Sequence, residues 1–154
     1  MSGWGGSAIT LTPIGRVVRE EKRLAPFGDA YSVYAYDEEL RSREALIYIY
    51  APYRGALLGL RPGMLVWILW YAHLSPRPRS LLVHPYGDPR RPLRGIFATR
   101  SPVRPNNIML SLTRITRLVD CGFLVKGLDA VDGSPVIDVK PYSEGLDSPE
   151  SVPG

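Results

Sequence analysis

Two stretches of this 154-residue chain carry side chains dense enough for chemistry. The first is Gly95–Ile108, GIFATRSPVRPNNI, in which Arg100 and Arg104 flank Ser101-Pro102 and lead into Pro105-Asn106-Asn107. Proline fixes φ, so polar side chains in such a loop stand in a rigid frame. The second is Gly127–Tyr142, GLDAVDGSPVIDVKPY, which crowds Asp129, Asp132 and Asp138 into ten residues with Lys140 close behind. Asp132-Gly133-Ser134-Pro135 reads as a turn between two apolar segments. Either stretch alone is compatible with an ordinary surface turn carrying an ion pair. Both together in one small domain point to a site built from arginine forks and carboxylates.

Several common chemistries are excluded. No Gly-x-Gly-x-x-Gly follows a strand and opens a helix, and there is no P-loop, so a dinucleotide fold of the usual kind is not expected. The two histidines, His73 and His84, are eleven residues apart with no cysteine partner, so no metal site is expected. There is no Gly-x-Ser-x-Gly elbow, and Cys121 has no neighbouring histidine. A single cysteine also rules out an intrachain disulfide and fits a reducing, cytoplasmic setting. His84 reads as a loop residue, and Trp67, Trp70 and Tyr71 as core or interface packing. Tyr142 could stack on a base or cap the fold.

Charge narrows the partners. Net charge is +4, and sixteen of the 19 basic residues are Arg. Between Arg77 and Arg104 stand seven Arg and one acid, Asp88. Such a stretch attracts phosphates, and arginine forks onto them as lysine cannot. A bias toward Arg for stability or solubility explains the charge equally well.

The elements that must position these residues are short. Gly and Pro number 15 each, which breaks long helices and favours strands joined by turns. Residues 1–8 read as a flexible tail, 9–145 as one domain and 146–154 as a polar tail. Strands are expected at Ile9–Val18, Tyr31–Tyr36, Ala45–Tyr50, Met64–Ala72, Leu81–His84, Gly95–Thr99, Ile108–Val119, Gly122–Leu128 and Val136–Val139. Helical turns are expected at Asp37–Arg43, with Asp37 as N-cap, and within Ala56–Leu60. Glu20–Asp29 reads as a loop. Ile108, Leu110 and Leu112 alternate with other residues as on a half-buried strand. Ser75–Arg94 is a Pro/Arg-rich surface excursion, of a length usually tied to function or disorder. The apolar run Met64–Ala72 is too short to cross a bilayer and reads as a central strand; no membrane association is expected. The fold class is all-β: a single closed or nearly closed β-barrel with short helical turns and an Arg/Pro-rich loop.

GIFATRSPVRPNNI and LDAVDGSPVIDVKPY closely resemble the two diagnostic blocks of the TrmO family, also called TsaA-like or YaeB. Pro13-Ile14-Gly15, and Trp67-Ile68-Leu69 followed by His73, match weaker blocks in the right order. The resemblance covers roughly residues 9–145 and is to the short, archaeal-type members. It implies an S-adenosylmethionine-dependent methyltransferase built on a β-barrel, for which the missing glycine fingerprint is expected. It implies methylation at N6 of N6-threonylcarbamoyladenosine beside the anticodon of certain tRNAs. It also implies a homodimer with cofactor and active site near the subunit interface.

Carried over position by position, the resemblance assigns cofactor contacts to His73 and Leu74, to Arg100, to Leu110, and to Lys126, Gly127, Leu128 and Asp129. Arg100 can fork onto a methionine carboxylate, and Asp129 can accept from ribose hydroxyls or a methionine amino group. The substrate N6 is a weak nucleophile, so a base or a donor to the carbamoyl oxygen is expected. Asp132 or Asp138 is the candidate base, and Arg104 or Asn106 the candidate donor. Arg77, Arg79, Arg90, Arg91 and Arg94 are the candidates for anticodon-stem phosphates. Many relatives read Arg-Pro-Asn-Pro-Ile-Gly where this chain has Arg104-Pro105-Asn106-Asn107-Ile108-Met109. Asn107 frees a torsion that Pro would lock, and Met109 narrows any close approach that Gly allowed. Ser134 stands for the usual Thr. Two other readings of the residues are a non-catalytic RNA-binding barrel and a methyltransferase acting on another substrate.

Overall fold

Strand-forming runs separated by Gly- and Pro-containing turns can satisfy every ladder only by closing on themselves. The computed structural model, which describes residues 7–20 and 38–154, shows that closure. Six antiparallel strands form a closed barrel in the order β1-β2-β7-β6-β3-β8. They are β1 (Gly15–Val18), β2 (Ala45–Ile49), β3 (Leu65–Tyr71), β6 (Ile108–Val119), β7 (Gly122–Lys126) and β8 (Pro135–Pro141). The remaining two, β4 (Leu82–Val83) and β5 (Arg94–Gly95), pair only with each other in a small ribbon outside the barrel. Two short helices, α1 (Glu38–Ser42) and α2 (Glu144–Asp147), complete the regular elements together with several 3-10 turns.

The core is the barrel interior. Val17, Ile47, Val66, Ile68, Trp70, Phe123, Val125 and Val136 fill it, each essentially inaccessible to water. Close approach of strands demands glycine at two seams. A Cβ on Gly15 would stand 2.1 Å from the Tyr48 carbonyl oxygen, and one on Gly122 only 1.9 Å from that of Ile47.

Several expectations from the sequence change. The strand expected from Ile9 begins at Gly15, where pairing with β2 and β8 starts. Gly95–Thr99 is not a strand: after Gly95 the chain winds into a 3-10 turn, Ile96–Ala98. The expected turn in Ala56–Leu60 is a 3-10 helix displaced to Ala51–Leu57. The tail after Asp147 holds a further 3-10 turn, Pro149–Ser151. On β6 the inward side chains are Met109, Ser111, Thr113 and Ile115, while Ile108, Leu110 and Leu112 face outward. The strand expected at Tyr31–Tyr36, the Asp37 cap and most of the Glu20–Asp29 loop lie outside the described residues. Among the described residues no helix is long and apolar enough to cross a membrane.

Candidate active site

Three segments meet where β3 ends and β6 begins. Tyr71 pairs with Ile108, and the Ala72 N–H donates to the Asn107 carbonyl at 2.9 Å. The third is the crossing segment between β7 and β8, residues 127–134. Gly127 opens it at φ 99°, and a Cβ there would stand 2.9 Å from the Leu112 carbonyl oxygen. Leu128, Ala130 and Val131 then sink into the core. Gly133, at φ 80°, returns the chain to β1 by donating its N–H to Val17 O at 2.8 Å.

Asp129 is held from inside the barrel. Trp70 Nε1 can only donate, and its proton goes to Ser111 Oγ at 3.0 Å. The Ser111 hydroxyl therefore passes its own proton to Asp129 Oδ1, at 2.6 Å. The second carboxylate oxygen, Oδ2, has no partner among the described residues.

Arg19 braces the same segment. It is 4% exposed, and its guanidinium donates to the carbonyls of Leu128, Ala130 (2.8 Å) and Leu40 (3.3 Å). Its main-chain N–H donates to Asp132 Oδ1 at 2.8 Å. The carbonyls on either side of Asp129 are thus gripped by one buried cation. Arg41 adds a bond from Nε to the Gly127 carbonyl at 3.0 Å. Neither Arg19 nor Ser111 was singled out by sequence reasoning. The available signal was Ser111 and Thr113 recurring at every second residue within the apolar first half of β6.

His73 lies against the Asp132-Gly133 turn, its Nε2 3.9 Å from where a Gly133 Cβ would stand. Partial burial holds the imidazole below its usual pKa. A hydrogen bond to the Tyr71 backbone and the Asp132 charge oppose that shift without cancelling it.

The arginine-rich loop leads into the start of β6. A cleft of about 210 Å³ is lined by Arg100, Arg104, Ile108, Met109 and Leu110. Arg100 Nη2 donates to the Leu110 carbonyl, joining two residues to which the resemblance separately assigns cofactor contacts. Arg104 Nη1 donates to the carbonyls of Ile96 (3.3 Å), Thr99 (2.9 Å) and Ser101 (3.2 Å). One nitrogen thus organises the loop, leaving Nε and Nη2 uncommitted among the described residues. Asn106 is exposed at the loop tip.

Asn107 explains one departure from the family pattern. Its φ is 49°, a left-handed conformation open to Asn and closed to Pro. Its buried carboxamide donates to the Ser75 carbonyl at 2.8 Å, tying this loop to the chain beyond His73. Met109 is 8% exposed, and packs in the core as well as lining the cleft.

Other sequence candidates lie elsewhere or are engaged. Asp138 pairs across from Leu69 on the outer wall and lies 3.1 Å from Lys140 Nζ. Lys126, at the end of β7, is exposed, as is Leu74. Arg90 forks onto Asp88 at 2.9 and 3.0 Å, and Arg91 lies 4.0 Å from the same carboxylate. Arg77, Arg79 and Arg94 are exposed with no acid partner among the described residues. Tyr142 donates its hydroxyl to Glu144 at 2.9 Å, and its N–H to Leu65, beside the β3–β8 seam.

Comparison with known proteins gives the family and the fold. Residues 32–148 match the family profile described as tRNA-methyltransferase O N-terminal domain. A probable S-adenosyl-L-methionine-binding protein of Methanothermobacter thermautotrophicus is 45% identical over 142 residues, 91% of this chain and 94% of the relative. The human tRNA (adenine(37)-N6)-methyltransferase is 38% identical over 101 residues, 63% of this chain but 22% of the human protein. Among solved structures, TrmO from Pseudomonas aeruginosa superposes with a TM-score of 0.66 at 25% identity. That match covers 95% of this chain, which spans 61% of the solved one.

Proposed function

Because the chain belongs to the tRNA-methyltransferase O family, we propose that it methylates N6 of an adenosine beside the anticodon of tRNA, using S-adenosylmethionine. The preferred substrate on this reading is N6-threonylcarbamoyladenosine. The observations that carry the reading are an arginine-walled cleft at the start of β6 and a carboxylate braced from the inward face of the same strand.

The residues present suit the cofactor's chemistry. An amino acid end needs a cation for its carboxylate and an acceptor for its ammonium; Arg100 and the free Oδ2 of Asp129 supply them. Ile108 and Leu110 offer an apolar wall to an adenosyl group. His73, Leu74 and the backbone of Lys126, Gly127 and Leu128 complete the set. When bound, the cofactor supplies a methyl group on a sulfonium sulfur. The protein's own tasks are to align the nucleophile and to exclude water. The uncommitted Nε and Nη2 of Arg104, with Asn106, donate to the carbamoyl oxygen and so make N6 more acidic. Asp132, beside His73, takes the proton; Asp138, in an exposed pair with Lys140, is the alternative base. Arg77, Arg79 and Arg94 hold backbone phosphates.

A homodimer fits the outer wall. Trp67–Leu112, Leu69–Leu110 and Tyr71–Ile108 are three directly opposed cross-strand pairs facing outward beside the cleft. Six apolar side chains in one block suit a partner subunit.

Calorimetric titration with S-adenosylmethionine and S-adenosylhomocysteine tests the reading first, followed by transfer of labelled methyl to tRNA. Saturable binding near one per chain is expected, lost in Arg100→Ala and Asp129→Asn variants that still fold. RNA binding without cofactor uptake would instead favour a non-catalytic RNA-binding barrel.

A further inference from the structure

The 3-10 turn Ile96–Ala98 buries one neighbour and expels the other. Ile96 is 2% exposed and Phe97 is 83% exposed. The turn is pinned. Ile96 N–H donates to Leu81 O at 2.9 Å. The Ile96 carbonyl accepts from Thr99 N–H (3.0 Å), Thr99 Oγ1 (2.8 Å) and Arg104 Nη1 (3.3 Å). A phenyl ring this exposed on so firmly held a turn does nothing for the core, yet its backbone is fixed as if for a ligand.

The surroundings indicate which ligand. Arg94 precedes the turn; Arg100 and Arg104, just after it, line the cleft. Arg77, Arg79 and Arg94 have no acid partner, while Asp88, the one acid between Arg77 and Arg104, is taken by Arg90 and Arg91. A second copy docking here would set like charges against each other. A flat apolar face rimmed by arginines matches an unpaired nucleobase, which needs a π-face to stack on and cations for its phosphates. Leu81 and Leu82, on the segment whose backbone pairs with Gly95 and Ile96, are exposed as well.

We propose that Phe97 is the stacking platform for an unpaired base of the RNA substrate, beside the arginine-lined cleft. This rests on the tRNA-methyltransferase reading and adds to it the residue that holds the splayed nucleotide.

The test measures binding of a synthetic anticodon stem-loop by fluorescence anisotropy, so it does not depend on methyl transfer. Phe97→Ala and Phe97→Leu should weaken RNA binding roughly 5- to 100-fold, with Phe97→Trp close to wild type. Uptake of S-adenosylhomocysteine and the solution mass should be unchanged in all three. Phe97→Leu binding as well as wild type would overturn the proposal, since a merely apolar contact would then suffice. A lower solution mass in Phe97→Ala would overturn it in favour of a subunit contact. Loss of stem-loop binding to wild type would also overturn it. Absence of cofactor uptake with RNA binding intact would instead count against the enzymatic reading alone.

Discussion

Removing the Ser111 hydroxyl should expose how much of the site is built from inside the barrel. Ser111→Ala leaves the indole N–H of Trp70, a side chain 1% exposed, without its hydroxyl acceptor. It also strips Asp129 Oδ1 of its donor. A buried group losing its partner costs about 1–3 kcal/mol, and bonds to charged acceptors lie in the upper part of that range. A net destabilisation of about 2 kcal/mol follows, which lowers Tm by roughly 4–8 °C in a chain of this size. Trp70→Phe removes the donor at similar volume. The double variant should therefore recover about 1 kcal/mol relative to the sum of the singles. Thermal and urea unfolding of the four proteins measure this. With Asp129 no longer oriented, affinity for S-adenosylhomocysteine should also fall about fivefold, or roughly 1 kcal/mol. A Tm drop under about 2 °C, or costs that simply add, would refute the chain from Trp70 through Ser111 to Asp129.

Three further outcomes are expected. Asn107→Pro, which restores the commoner family residue, should destabilise by about 3 kcal/mol in urea unfolding. Proline cannot adopt φ 49°, and the bond to Ser75 is lost. Arg19→Lys should cost about 2–4 kcal/mol and release the 127–134 segment to hydrogen exchange. One ammonium cannot serve the spread of carbonyls that the guanidinium reaches. For His73, the folded-state pKa lies below the ordinary 6.5, so the unfolded chain binds the extra proton first. Stability from this group is complete above pH 6.5 and declines as pH falls below it. A Tm-versus-pH profile should show that decline in wild type and its absence in His73→Gln; a decline of equal size in both would remove His73 as the cause.

Much of this was legible from local patterns. Strand runs such as Ala45–Tyr50 and Gly122–Leu128 announce themselves through strand-forming composition and bounding turns, and both appear as barrel strands. The helix at Glu38–Ser42 follows from its charged, turn-forming composition. The two motif blocks were legible as candidate site segments because their residues are close in the chain. Less legible were contacts between segments far apart. Trp70 and Ser111 are separated by 41 residues, and Arg19 and Leu128 by 109, so no spacing rule connects them. Asp132 and Asp138 look equivalent in sequence. Only the pairing of β8 with β3 turns Asp138 to the outer wall, while Asp132 stays beside Arg19 and His73.

The clearest division falls on β6. Alternation showed that this strand has two faces, because side chains of a strand point to opposite sides in turn. It did not show which face is inside, since Ile108, Leu110 and Leu112 are more apolar than Met109, Ser111 and Thr113. Barrel closure decided in favour of the more polar set. The interior supplies Asp129 and the Trp70 indole for Ser111, and the Val66 carbonyl for Thr113 at 3.0 Å. A buried hydroxyl is tolerated when its hydrogen bonds are met. What the amino-acid sequence determined alone was therefore most of the barrel strands, the all-β class and the two candidate loops. What the tertiary structure decided was which oxygen and nitrogen atoms remain unspent at the barrel's end. That choice depends on partners that closure brings from distant strands.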